Sequence, residues 1–162
     1  MRAISSNETI LFQDEAVFTS KQVNPKVWFT PQTEPVVITK KKLSFKAIAV
    51  SAAIDSKGTV IAHRIVDGAI DIQQFLLFLD SVARVTRRRK VLMLVDNLNV
   101  HRANAVKDKA RRLNIELFYN GIYSSTFNPI ERLWAWAKLN FQRSCVKNAP
   151  YHLQHRMRGL VK

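Results

Sequence analysis

Residues 91–97 read VLMLVDN, and this stretch decides the fold. Five apolar residues in a row show no polar alternation and are too few for a helix. They read as a strand buried on both faces. Such strands belong to parallel sheets covered by helices. The run ends on Asp96. A carboxylate directly after five apolar residues is poorly solvated unless something cationic compensates it. A metal ion would do so; a helix cap or a salt bridge to a basic neighbour would serve as well.

Two further acids stand in comparable settings. Asp14 closes the apolar run ILFQD (10–14). Glu131 lies in NPIERLW (128–134), with 34 residues between it and Asp96. Residues so far apart meet only through a fold. Carboxylates placed in this way suit a pair of divalent cations that activate water and cut a phosphodiester. The chain carries 26 Lys and Arg against 12 Asp and Glu, a net charge of +14. That excess favours a polyanion, and DNA is the expected substrate.

A length of 162 residues implies one domain that buries roughly 70% of its unfolded surface. The single cysteine, Cys145, excludes an internal disulfide and reads as a small apolar filler in a reducing compartment. Residues 1–12 (MRAISSNETILF) lack the apolar core of a signal peptide. No apolar run approaches the roughly 20 residues that span a bilayer. An intracellular protein without a membrane partner is expected.

The rest of the chain alternates strands and helices. Residues 9–14 read as a short strand. Residues 21–42 are broken by Pro25, Pro31 and Pro35 and argue against a central strand. Residues 44–54 and 59–66 flank the turn signal Asp55-Ser56-Lys57-Gly58 and read as a hairpin. Asp71 is a good N-cap for a helix over 72–85, with Gln74 three residues on. Residues 101–113 read as one amphipathic helix with a basic exterior, and 115–119 as a strand. Asn128 as N-cap and Pro129 at the first helical position open a last helix. The order mixes an antiparallel half with an α/β half. Asp14 and Asp96 are both expected at the carboxyl ends of strands, where open α/β sheets gather ligands.

Together these residues resemble a known family. FQDE (12–15), LVDNLNVH (94–101) and YSSTFNPIERLW (123–134) are similar to the three motifs of the catalytic domain of mariner-type and related insertion-sequence transposases, in the DDE superfamily. The resemblance covers about residues 9–141. It implies an RNase H-like α/β fold with a mixed five-stranded sheet flanked by helices. It implies that Asp14, Asp96 and Glu131 hold two Mg²⁺ or Mn²⁺ ions. It matches Asn97, His101 and Asn128 to polar positions that flank these ligands. It also implies cleavage of transposon ends, their transfer into target DNA, and a homodimer that handles two ends. In the nucleus of a eukaryote or the cytoplasm of a bacterium, such an enzyme would meet DNA.

Two departures stand out. Gly121 and Ser125 occupy positions where the family usually has prolines, so the loop before the last helix is expected to be less rigid. Family members usually carry helix-turn-helix domains ahead of the first Asp, whereas thirteen residues precede Asp14. A fragment, one product of a split gene, or a subunit that borrows its targeting from a helix-turn-helix partner fits this. A domesticated module that binds DNA or a partner without cutting, or a host endonuclease, fits the same residues.

Each candidate has a plainer reading. A lone Asp14 would simply end a strand. Glu15 is turned to the opposite face by strand alternation and reads as structural or as a residue that supports the ligands from behind. Glu131 stands where a capping-box Glu belongs. His101, at the mouth of the next helix, could donate to a ligand or touch DNA, but a lone His is more commonly a surface or cap residue. The basic runs Lys40, Lys41, Lys42 and Arg87, Arg88, Arg89, Lys90 could be solvated faces, but with so little acidic compensation they are expected to contact phosphates. Three acids at one edge repel one another without a cation, so removing even Asp96 is expected to relieve the metal-free protein.

Overall fold

The computed structural model describes residues 8–19, 47–121 and 128–147. Lys40, Lys41, Lys42, the proline-broken stretch and the loop 122–127 lie outside the described residues, as does the side chain of Cys145. Five strands form one sheet: β1 Thr9–Phe18, β2 Ile48–Asp55, β3 Val60–Asp67, β4 Val91–Val95 and β5 Ile115–Tyr119. Their order is β3-β2-β1-β4-β5. β2 pairs antiparallel with both β1 and β3, while β4 runs parallel to β1 and β5 parallel to β4. The mixed five-stranded sheet expected from the sequence is therefore present.

The hairpin is made by its turn chemistry. The Asp55 carboxylate accepts from the backbone N–H groups of Lys57 and Thr59 at 2.9 and 2.8 Å. Gly58 takes φ +84°, a conformation that costs glycine no Cβ clash. Helix α1, Ile72–Val85, begins where the Asp71 carboxylate accepts from the Gln74 N–H at 2.7 Å. The reciprocal half of a capping box is missing, because the Gln74 side chain accepts from Arg64 Nε at 2.7 Å instead.

Two expectations change. β1 does not stop at Asp14: it runs four residues further, paired with β2 from Leu11–Asp55 to Phe18–Ile48. Alternate residues Ala16 and Phe18 are buried, which holds the strand down past the acid. Asp14 is thus inside a strand, and only Asp96 follows a strand end. The basic helix expected over 101–113 is two helices, α2 Asn99–Arg102 and α3 Asn104–Arg112. Ala103 breaks them with an extended ψ of 139°.

The sheet has a core on each face. On one, Leu11, Met93 and Val95 pack against Phe75, Leu79 and Val106 from α1 and α3. On the other, Phe18, Val50 and Ile54 pack against Trp134 and Phe141 of α4, Ile130–Lys147. Phe18 and Phe141 meet edge to face at 5.2 Å, the arrangement that ring quadrupoles favour. Strand alternation then sorts the residues of β1. Gln13 and Glu15 follow Leu11 towards α1 and α2, whereas Asp14 follows Phe12 towards α4.

Candidate active site

The β1–β4 ladder runs from Thr9 beside Val91 to Phe12 beside Leu94. Asp14 and Asp96 follow at the same count on their two strands. The ladder itself ends at Phe12 beside Leu94, so the two acids lie two residues beyond its last pair on neighbouring strands. Glu131 lies in the first turn of α4 and is exposed. The Asn128 side chain accepts from the Ile130 N–H at 3.3 Å and donates to the Gln13 carbonyl at 3.4 Å. It therefore starts α4 and ties that start to β1, one residue before Asp14. Among the described residues Glu131 makes no reciprocal bond back to Asn128. The capping-box alternative for Glu131 has no support in the geometry.

The electrostatics of Asp14 are those of an uncompensated anion. Burial pushes its carboxyl up, and the charges of Glu15 and Glu131 push in the same direction, to about 6. The Glu15 backbone N–H and the indole of Trp134 oppose this in part. Trp134 Nε1 donates to Asp14 Oδ2 at 3.1 Å. The influence of Glu131 on Asp14 places α4's acid within electrostatic reach of the strand acid.

Asp96 is the opposite case. Burial raises its pKa, but the His101 hydrogen bond, the Leu98 N–H and the His101 charge outweigh that and hold the carboxyl below its usual range. His101 Nδ1 stands 2.7 Å from Asp96 Oδ1, and Nε2 stands 3.1 Å from Glu15 Oε1. Carboxylates only accept, so both ring nitrogens donate and the imidazole is a cation. Burial pulls its pKa down, yet bonds to Asp96 and Glu15 and their charges push it up to about 9. The ring is fully buried and packs on Phe75 with centroids 4.4 Å apart. His101 thus stands beside Asp96, as the resemblance implies, but as a buried partner rather than the surface or cap residue a lone His commonly is.

Glu15 anchors a polar island on the same face. Its Oε1 accepts from Gln13 Nε2 at 2.7 Å and from Ser51 Oγ at 3.3 Å, and both donors are fully buried. Among the described residues one group of three possible ligands converges within 4.8 Å: Glu15, Asp96 and His101, not the expected triad. Both imidazole nitrogens in that group already hold protons for carboxylates. The ring fills the place of a cation there and is not free to ligate one.

Asp14, Asp96 and Glu131 offer only oxygen donors, but among the described residues they do not converge as Glu15, Asp96 and His101 do. Hard cations prefer such oxygens, and the raised carboxyl of Asp14 marks negative charge that a cation would relieve. Of the matched polar residues, Asn97 Nδ2 donates to the Asn120 carbonyl at 2.8 Å and fixes the turn after β4.

Of the two basic runs, only that at 87–90 lies among the described residues. Arg87 and Arg88 take left-handed φ of 51° and 54° in the turn before β4. Asp96 lies at the other end of that strand, about 17 Å away for five residues. Lys90 is paired with Glu8 at 2.8 Å and with Glu116 at 3.6 Å.

Sequence reasoning missed Trp134, Gln13 and Ser51 and undervalued Glu15. The signals were present. A Trp on an apolar stripe needs an acceptor for its N–H, and Gln13 with Glu15 puts two polar residues on a buried strand face.

No curated protein matches the chain. Solved structures share the fold. The Mos1 transposase paired-end complex with left transposon end superposes with a TM-score of 0.64 at 22% identity, over 82% of this chain and 41% of that one. The Mos1 transposase catalytic domain with Raltegravir and Mg gives 0.56 at 18% identity, over 83% and 61%. The intasome of simian T-cell lymphotropic virus in complex with PP2A regulatory subunit B56 gamma gives 0.70 at 13%, over 99% and 49%. The chain thus spans about half the length of the solved chains it matches, and the fold is RNase H-like. The family model for DDE superfamily endonucleases matches residues 9–152, nearly the whole chain and all three acids, and the chain belongs to that family.

Proposed function

We propose that the chain is the catalytic core of a DNA transposase that cuts transposon ends and joins them to target DNA. The observation that carries this reading is that Asp14 and Asp96 each follow two residues after the last parallel pair of neighbouring strands, Phe12 and Leu94, while Glu131 opens α4 and adds to the charge that raises the Asp14 carboxyl. Asp14, Asp96 and Glu131 would hold two Mg²⁺ or Mn²⁺ ions, which lower the pKa of a water or a DNA 3′-hydroxyl and stabilise the leaving 3′ oxygen. His101 donates to Asp96 and helps hold its carboxyl below the usual range. Trp134 and Asn128 hold α4 against β1, so that the acids of strand and helix share one edge. Membership of an endonuclease family supports the cutting step. The Mos1 chain of similar fold is seen with a transposon end, which supports DNA as the substrate. Two ends must be handled together, so a homodimer is the expected assembly, with a helix-turn-helix element supplying end recognition. A nicking assay on supercoiled DNA, with and without Mn²⁺, tests the reading. Metal-dependent nicking is expected, and none at any Mn²⁺ concentration would leave a non-cutting DNA-binding module.

Phosphate contacts release counterions, so binding to DNA should be sequence-tolerant and steeply salt-dependent. Replacing Arg87, Arg88 and Arg89 by Gln should weaken all sequences alike and flatten the slope of log K on log salt, by about 0.9 for each phosphate no longer neutralised. Because these arginines sit at the far end of β4, the metal concentration that supports nicking should not move. Fluorescence anisotropy across a salt series checks this; tight, salt-insensitive binding to one short sequence would contradict it.

A further inference from the structure

We propose that two buried ring N–H groups, one from each face of the sheet, position the two metal-binding aspartates: Trp134 Nε1 for Asp14 and His101 Nδ1 for Asp96. The proposal rests on the triad reading above and deepens it. Trp134 belongs to the core under α4 and is 2% exposed. His101 lies on the opposite face, against Phe75, and is 0% exposed. Each ring gives an N–H to one oxygen of one aspartate, at 3.1 Å on Asp14 Oδ2 and 2.7 Å on Asp96 Oδ1. A buried indole N–H needs some acceptor, and a backbone carbonyl would have sufficed. Both rings instead engage the two strand acids of the triad.

The consequence is geometric. A carboxylate on a strand rotates about its terminal torsion with little resistance. A ring held on all sides by a core does not. Fixing one oxygen of each aspartate leaves the other for the cation and removes rotational freedom that binding would otherwise have to freeze. His101 has its own support, since Nε2 donates to Glu15 Oε1, which Gln13 and Ser51 hold in turn. The Leu98 N–H adds a second bond to Asp96 Oδ1 at 3.1 Å. Partners that orient ligands in this way typically contribute about 10- to 100-fold in metal affinity.

The test compares conservative variants in DNA-free protein, with free Mn²⁺ read by its electron paramagnetic resonance signal. Trp134→Phe keeps a ring in the core and removes the N–H; about tenfold weaker Mn²⁺ binding is expected. His101→Asn places an amide N–H where Nδ1 was and should stay near wild type. His101→Gln mimics Nε2, serves Glu15 only, and should weaken Mn²⁺ about tenfold. In nicking assays Trp134→Phe and His101→Gln should need about tenfold more Mn²⁺ for half-maximal rate, with the saturated rate largely kept. A purely structural role would lower melting temperature without splitting the two histidine variants. If His101→Gln fails to fold, Trp134→Phe decides alone. Wild-type Mn²⁺ affinity in Trp134→Phe, while Asp14→Asn and Asp96→Asn abolish binding, would overturn the proposal and leave the triad standing. Wild-type affinity in those two aspartate variants as well would bring down the triad reading itself.

Discussion

Asp14→Asn, Asp96→Asn and Glu131→Gln should each reduce metal-dependent nicking by more than about a thousandfold. Removing one preorganised hydrogen-bond donor from an active site costs roughly 10²–10³ in rate, and a ligand supplies both charge and geometry. The three effects should not add in combination, because residues that act as a unit fail together. The substitutions are isosteric, so a collapsed fold is not the explanation to expect. An amide oxygen at position 14 still accepts from the Trp134 indole, and one at position 96 still accepts from His101. Glu131 is exposed and makes no bond to Asn128 among the described residues, so Glu131→Gln should leave the melting temperature within about 1 °C, as surface substitutions usually do. That silence in stability makes it the cleanest of the three. Wild-type cutting by Glu131→Gln would reduce this acid to an ordinary helix-start residue and end the triad assignment.

The parts of this fold legible in the sequence are those with local causes. The run at 91–95 could only be a doubly covered strand. The Asp71 cap and the Asp55–Gly58 turn each state their own geometry, and α1 and the hairpin fall where such signals put them. The misreadings share one cause, which is that tertiary partners overrode a local cue. Asp14 looked like a strand end because a polar residue closed an apolar run. Antiparallel pairing with β2 carries β1 on through Phe18 regardless. The helix expected over 101–113 breaks at Ala103 because α2 holds His101 in the core while α3 packs separately. The resemblance set His101 beside the second Asp, but its burial and its second partner, Glu15 in β1, 86 residues away, were not legible. The three acids were legible as a set of motifs; the opposite shifts of Asp14 and Asp96 were not, because they follow from strand faces and from the buried His101 beside Asp96.

The same asymmetry predicts opposite signs for the two aspartates when metal is chelated. The relief expected on removing Asp96 runs against its depressed carboxyl. Its folded pKa is depressed by His101, so its ionised form stabilises the fold above its ordinary pKa of 3.8, and that stability disappears only as pH falls through the lower folded value. The His101 contribution is complete below 6.5 and fades as pH rises through about 9. Between roughly pH 4 and 9, therefore, Asp96→Asn takes a carboxylate from a buried cation. Breaking a buried pair costs about 3–5 kcal/mol. Glu15 still compensates the ring and Asp96 is partly exposed, so about 1–3 kcal/mol is the expected destabilisation. Asp14 runs the other way. Its folded pKa of about 6 lies above the unfolded 3.8, so the folded state binds more protons and stability falls as pH rises from about 4 to 6. At pH 7 the ionised Asp14 works against the fold by about 1–2 kcal/mol after allowance for solvent screening. In EDTA at pH 7, Asp14→Asn should melt about 2–6 °C above wild type and Asp96→Asn several degrees below. At pH 4 the Asp14→Asn advantage should vanish, because wild-type Asp14 is then protonated. Mn²⁺ at about 100 times its dissociation constant should raise wild type by about 2.7 kcal/mol and leave Asp14→Asn unmoved, reversing their order. Calorimetry at pH 4 and 7, with EDTA or Mn²⁺, reads all of this. If Asp14→Asn melts below wild type in EDTA at pH 7, the edge carries no anionic strain, and the physical case for a cation there collapses.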